Sequence, residues 1–187
     1  MSQFPVHDPA SAPTETLPLL DATENKFGFL PNLIGVMAES PALLSAYTAL
    51  AQCFERSSLS PAEQQVVLLT TSRVNECDYC LAAHSTIADM INVDPAITNA
   101  IRDDTTIPNR RLEALRDFTA RVVQRRGLIN EDDIKALLRV GYSRQTILDV
   151  VTGVGMKTLS NYTNHIADTP LDTLFSGRRW EKYSEAC

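Results

Sequence analysis

Two thiols three residues apart and a histidine four further on, Cys77, Cys80 and His84, are the residues of this chain best placed to do chemistry. If residues 76–84 open a helix, their side chains fall at roughly 0°, 300° and 340° around its axis, so all three share a face. Free N–H groups and the positive end of the helix dipole favour a thiolate in a first turn. Two α-carbons three residues apart lie roughly 5–6 Å from one another, within reach of a disulfide. A reversible dithiol is the chemistry this spacing supports. The dipole acts most on Cys77, whereas the histidine reaches Cys80 better, so the more acidic sulfur stays open. A zinc site would use the same thiols, but it wants a fourth ligand, and no second Cys-x-x-Cys or His-rich pair occurs. Structural cysteines beside a core histidine would leave the shared face unexplained.

The elements that must hold this turn read as helices. Ser40-Pro41 caps a helix through about Phe54, and Ser60-Pro61-Ala62-Glu63 is a capping box before the apolar run Val66-Val67-Leu68-Leu69, which continues to about Val74. After the break at Asn75 and Glu76, the dithiol helix runs on through Ile91, and Asp94-Pro95 caps a short helix to about Arg102. Asn109 caps a helix from Arg110 to Arg126 with Leu112, Leu115, Phe118, Val122 and Val123 on one face, Gly127 ending it and arginines elsewhere as a solvated face or subunit contacts. Asn130 caps a helix to about Val140. Ser143 opens a long, almost wholly apolar one through Ile166, in which Gly153 and Gly155 suggest close helix approach. No strand-like alternation and no repeat is visible. The expected class is all-α, with about seven helices.

At 187 residues the chain suits one domain. Four prolines in residues 1–20 predict an extended N-terminal arm; 21–170 form the domain, with its core in 40–125; 171–187 is a charged, loosely held tail, which Trp180 anchors either on a neighbour or on its own core. The net charge of −6 gives no footprint for nucleic acid. Neither a secretory leader nor an apolar run near the roughly 18 residues of a membrane span is seen, and a cytoplasmic, reducing setting is expected. There a close thiol pair is catalytic or metal-binding rather than structural. Cys53 reads as a small core residue, Cys187 as a frayed end, and His7 and His165 as surface or packing residues.

The segment LSPAEQQVVLLTTSRVNECDYCLAAHSTIA resembles the alkylhydroperoxidase AhpD-like members of the carboxymuconolactone decarboxylase family, and FGFLPNLIGVMAESPALLSAYTAL before it resembles their peroxidase-related branch. The resemblance covers about residues 27–125, and more loosely the last helix. It implies an AhpD-like helical bundle assembled as a homo-oligomer, trimer or hexamer, that reduces hydroperoxides. By matched position Cys80 attacks the peroxide, Cys77 resolves the sulfenic acid, and His84 belongs to the proton relay. Two positions depart from the pattern. The relay glutamate is Gln65, an amide that can hold water but not take its proton, and the histidine of some members is Tyr79, a phenol that is a donor rather than a base.

The expected function is therefore a thiol-dependent oxidoreductase with an antioxidant dithiol/disulfide cycle. No bound cofactor or metal is required, and an external lipoamide- or thioredoxin-like dithiol, a donor protein or a peroxiredoxin serves as partner. Gln65 predicts slow peroxidase turnover or another oxidant. The alternatives are a decarboxylase or isomerase of the carboxymuconolactone type, whose members generally lack the cysteine pair, and a non-enzymatic redox sensor.

Overall fold

Capping side chains and prolines decide where this chain turns helical. The computed structural model describes residues 4–181. Among them, nine α-helices follow in order: α1 (Leu17–Phe27), α2 (Asn32–Met37), α3 (Pro41–Glu55), α4 (Pro61–Val74), α5 (Asp78–Met90), α6 (Pro95–Arg102), α7 (Arg110–Gln124), α8 (Glu131–Arg139) and α9 (Arg144–Ala167). Short 3-10 turns occupy Thr14–Thr16 and Thr173–Arg178, and no strand occurs among the described residues. The expected caps are in place. Ser40 accepts from the Leu43 N–H, Ser60 and Glu63 cap each other's backbone, Asp94 accepts from Ala96, and Asn109 and Asn130 start α7 and α8. Each such cap is worth about 1 kcal/mol.

The centre is α4, whose residues Gln65 to Ser72 are all buried. It packs against α7, α5, α9 and α6. Val66, Leu69, Leu115, Phe118, Val150 and Met156 form one apolar core around it. Each large side chain fully buried there contributes about 1.5–3 kcal/mol. A second cluster joins Leu20, Ile34, Met37, Leu44 and Phe175 to the two site cysteines. Where α9 crosses α3 and α4 only glycine fits at 153, since a Cβ there would lie 2.7 Å from the Phe54 ring and 2.9 Å from Val67. Gly155 has open space beside it, so only the first of the two glycines marks close approach.

Four sequence expectations need correction. Residues 1–20 are not all an extended arm, because the chain turns helical from Thr14 and buries Thr16 and Leu20. Pro18 permits this, since it sits in the first turn of α1 where its missing N–H has no partner to lose. Residues 21–37, where the sequence reading names no helix, hold most of α1 and all of α2, which accounts for the helices beyond seven. The segment after 170 is tied down rather than loose: Asp172, Phe175 and Trp180 are buried, and the second 3-10 turn packs on α5. Cys53 is exposed, because the inward face of α3 passes through Leu44 and Phe54 and Cys53 lies about 100° away from Phe54. Cys187 lies outside the described residues.

The largest surprise is α9. Its first half buries Val150, Gly153 and Met156, but its second half buries Lys157, Ser160, Asn161 and Asn164, while Leu148, Val151, Tyr162 and Ile166 face outward.

Candidate active site

The loop between α4 and α5 is shaped to deliver the dithiol into the interior. Glu76 takes a left-handed backbone (φ 56°), which turns the chain sharply after α4. Cys77 then occupies the N-cap of α5, its N–H donating to the Ser72 carbonyl at 2.9 Å. Cys77 and Cys80 are 0% and 1% exposed, and both are free thiols. The sequence thus placed them correctly at a helix start, but deep inside the protein.

What meets them there is the polar half of α9. Positions 157, 160, 161 and 164 are spaced three, four and seven apart, so they share one helix face. Asn164 spans the pair: its Nδ2 lies 3.1 Å from Cys80 Sγ and 3.7 Å from Cys77 Sγ. Ser160 Oγ is 3.9 Å from Cys80 Sγ. Asn161 is fixed by Asn75 Nδ2 at 2.9 Å and by Ser72 Oγ at 3.4 Å. Lys157, 1% exposed, brings a buried positive charge and a side-chain hydrogen bond to Cys80.

These contacts make the two sulfurs unequal. The Cys77 thiol donates to Cys80, and this together with burial pushes its ionisation well up. For Cys80 burial opposes ionisation, but the Cys77 hydrogen bond, the Lys157 charge and hydrogen bonds from Lys157 and Asn161 outweigh it and hold the thiol well below its ordinary range. Burial alone would discharge Lys157; the neighbouring Cys80 charge outweighs it and keeps the amine protonated. The pair is therefore a thiolate and an ammonium. The leading causes that lower the Cys80 thiol are thus neither the helix dipole nor the histidine, but its neighbour Cys77 and then a lysine 77 residues downstream.

His84 and Gln65 do meet. His84 Nδ1 donates to Gln65 Oε1 at 3.1 Å, which leaves Nε2 as the acceptor. Burial, and secondarily the Lys157 charge, holds the imidazole neutral. Its bonded nitrogen goes to the amide rather than to sulfur, and Cys77, Cys80 and His84 do not form a metal-binding group among the described residues. Tyr79 corrects the relay expectation. Its hydroxyl donates to Asp172 Oδ2 at 2.5 Å and accepts the Leu33 N–H at 3.2 Å, and its ring packs edge-on to Phe175. Burial and the Asp172 carboxylate push its phenol far up. Tyr79 is a strut from the dithiol turn to α2 and the C-terminal segment.

Sequence reasoning missed Lys157, Ser160, Asn161 and Asn164. The available signal was the polar series Lys157, Ser160, Asn161 and Asn164 at one helix face in a segment otherwise read as apolar. One buried acceptor stays unpaired there, Asn164 Oδ1, at the other end of the amide that touches both sulfurs. Beside the first turn of α5 a cleft of about 400 Å³ is bordered by Asp78, Tyr79, Thr169 and Trp180.

An all-α bundle that carries a Cys-x-x-Cys pair at a buried helix start defines a dithiol protein of helical type. Residues 38–108, which include the whole dithiol turn, match the Carboxymuconolactone decarboxylase family. An AhpD-core, uncharacterized peroxidase-related protein from Ralstonia eutropha JMP134 superposes with a TM-score of 0.82 at 24% identity, over 96% of this chain and 98% of that one. A peroxidase-related protein from Silicibacter sp. TM1040 gives 0.80 at 24% identity, over 94% and 93%. The debrominase Bmp8, in complex with 2,3,4-tribromopyrrole as its C82A variant, gives 0.78 at 18% identity, over 95% and 97%. No curated protein sequence matches the chain. The match to that family thus spans residues 38–108, and the chain as a whole has the AhpD-like all-α fold of these structures.

Proposed function

We propose that this protein is a thiol-dependent oxidoreductase that reduces hydroperoxides through a Cys77–Cys80 dithiol/disulfide cycle. The observation that carries the reading is the inequality of the two sulfurs under Asn164 and Lys157. A thiolate beside a protonated thiol is the arrangement an attacking and a resolving cysteine need. Cys80 sulfur attacks one peroxide oxygen, the O–O bond breaks, and an alcohol leaves once its oxygen is protonated. Cys80 is then a sulfenic acid. Cys77 sulfur displaces its oxygen as water, and an external dithiol of the lipoamide or thioredoxin kind returns both sulfurs to the reduced state. The unpaired Asn164 Oδ1 suits the O–H of a hydroperoxide, a donor that the same amide would hold close to the attacking Cys80 sulfur.

The protein works in this reading as a homo-oligomer in the cytoplasm, where such reductants are regenerated. Its subunit contact is the outer apolar stripe of α9, Leu148, Val151, Tyr162 and Ile166, which crosses open space at Gly155. No helix among the described residues is long and apolar enough to cross a membrane.

Peroxide consumption with reduced lipoamide or thioredoxin tests the reading. Cys80→Ser abolishes turnover, and Cys77→Ser consumes one equivalent of peroxide and stops at a sulfenic acid that dimedone captures. Turnover that survives both substitutions would sink the proposal.

A further inference from the structure

The relay position of this chain holds an amide, Gln65, so the proton that the departing alkoxide requires must come from elsewhere. Building on the reading above, we propose that Lys157 is the acid of the reaction: its ammonium gives up a proton as the disulfide forms, and the reduced protein regains it. Lys157 sits inside the site, 1% exposed, on the α9 face that also places Asn164 over both sulfurs. The groups facing it are Tyr47 from α3, Cys77 at the α5 N-cap, and Cys80 and His84 from α5. Tyr47 is half-buried and the desolvation of its phenol raises it, so it stays protonated, and His84 is a neutral imidazole. Cys80 is therefore the counter-charge of Lys157.

Charge balance then drives the step. In the reduced protein a thiolate and an ammonium neutralise one another. Once Cys80 is bonded to Cys77 its charge is gone, and a lone cation buried beside a disulfide is costly unless it releases its proton. The atoms close on this route. Cys80 thiolate and a hydroperoxide give the sulfenic acid and an alkoxide, which Lys157 protonates to the alcohol. The neutral amine then takes the Cys77 proton, Cys77 displaces hydroxide from the sulfenic acid, and the hydroxide leaves with that proton as water. Thiolate, thiol, ammonium and hydroperoxide become disulfide, amine, alcohol and water, with two electrons passing from sulfur to oxygen and no proton exchanged with solvent.

Proton counting tests this without relying on peroxidase activity. In a Cys53→Ser/Cys187→Ser background, the reduced full-length protein is oxidised with diamide in weakly buffered neutral solution while a pH indicator and the thiol count are followed. Diamide takes up two hydrogens for each disulfide. If Lys157 supplies one and Cys77 the other, the solution pH does not move. An uptake of about one proton per disulfide overturns the proposal, because Lys157 has then stayed charged. Failure of diamide to form the Cys77–Cys80 disulfide overturns instead the dithiol cycle on which the proposal rests.

Two variants separate charge from acid. Lys157→Met loses the ultraviolet thiolate absorbance at neutral pH and recovers it only in alkali, near an ordinary thiol pKa of about 8.5. Lys157→Arg keeps the thiolate, since guanidinium holds its charge, but cannot release its proton. Its first-turnover reaction with cumene hydroperoxide slows about 100-fold or more, the scale of lost general-acid catalysis, and its diamide oxidation draws about one proton from solution. Wild-type rates in Lys157→Arg, or a neutral-pH thiolate in Lys157→Met, would each overturn the assignment. The wild-type proton count stands even if neither variant folds.

Discussion

The two halves of α9 pack inward on the same bundle and bury opposite things. The first half sets Val150, Gly153 and Met156 against Phe54 and Val67, whereas the second sets Lys157, Ser160, Asn161 and Asn164 against the end of α4 and the start of α5. The first arrangement gains stability from apolar burial. The second spends desolvation on a charged pair and hydrogen-bonded amides, and in return lowers the pKa of one thiol in the protein interior. One helix thus supports the fold at one end and tunes the chemistry at the other, and substitutions at the two ends should separate stability from reactivity.

The largest effect belongs to the apolar half. Phe54→Ala removes the ring on which Gly153 packs and costs about 3–5 kcal/mol in urea unfolding, while the Cys80 thiolate absorbance of the folded protein is unchanged. Lys157→Met at the other end gives the reverse. In the disulfide form Lys157 has lost its charge partner and is a buried polar amine, so an apolar side chain in its place relieves a desolvation cost of about 1–3 kcal/mol, which should show as a raised unfolding midpoint of that form. If both substitutions lowered stability alike, the division of labour along α9 would be wrong.

Tyr79 lies between the two regimes. Tyr79→Phe leaves the ring on Phe175 but strips Asp172 of a donor and the Leu33 N–H of an acceptor. Unsatisfied buried groups of this kind cost about 1–3 kcal/mol. Hydrogen exchange should accelerate in residues 169–180, with peroxide reactivity at Cys80 retained. A loss of reactivity with unchanged exchange would return Tyr79 to the relay that its sequence position suggested.

His84 sharpens the comparison through pH. Its folded pKa lies well below the ordinary 6.5, so below that value the unfolded chain binds a proton that the folded one does not. Stability therefore falls as pH drops below about 6.5, by up to about 1.4 kcal/mol per pH unit for that one proton. Cys80, also lowered, works in the same direction, its contribution being complete above its ordinary 9.0 and lost as pH falls toward its folded value. Cys77, raised, instead weakens the fold in alkali above 9.0. His84→Gln should flatten only the part of the acid limb that begins near 6.5, as read from urea midpoints across pH, and an unchanged limb would mean that His84 is charged in the fold.

How much of this was legible in the sequence follows from the range of the forces involved. Caps and prolines act within a turn, so Ser40, Ser60, Asp94, Asn109, Asn130 and Ser143 located six helix starts directly. Cys77 and Cys80 stood out because their pairing is also local. The inward face of α9 did not, since Lys157 and Asn164 among Val, Met and Leu have the pattern of an apolar helix with its polar side in water. Only the packing of α9 on α5, a contact between residues some 80 positions apart, turns that side inward. The segment 171–180 was misjudged for a related reason: Asp172, Phe175 and Trp180 are separated by polar residues, and what holds them is a distant Tyr79, α5 and Arg102.

The outer face of α9 offers the smallest effect on the fold and a distinct one on assembly. Leu148, Val151, Tyr162 and Ile166 are 67%, 54%, 54% and 73% exposed, so nothing in the subunit is lost when they change. A lysine at an exposed helical site alters subunit stability by no more than about 0.5 kcal/mol. If two copies meet along this stripe, however, Leu148→Lys with Ile166→Lys buries two unpaired charges in their contact. The protein should then run as a single subunit in sedimentation while keeping its thiolate and its unfolding midpoint at high denaturant-free concentration and low alike. Wild-type protein is expected to lose stability on dilution, because association contributes to its midpoint by mass action. Identical sedimentation of the two would place the subunit contact elsewhere and leave α9 as a helix whose function faces wholly inward.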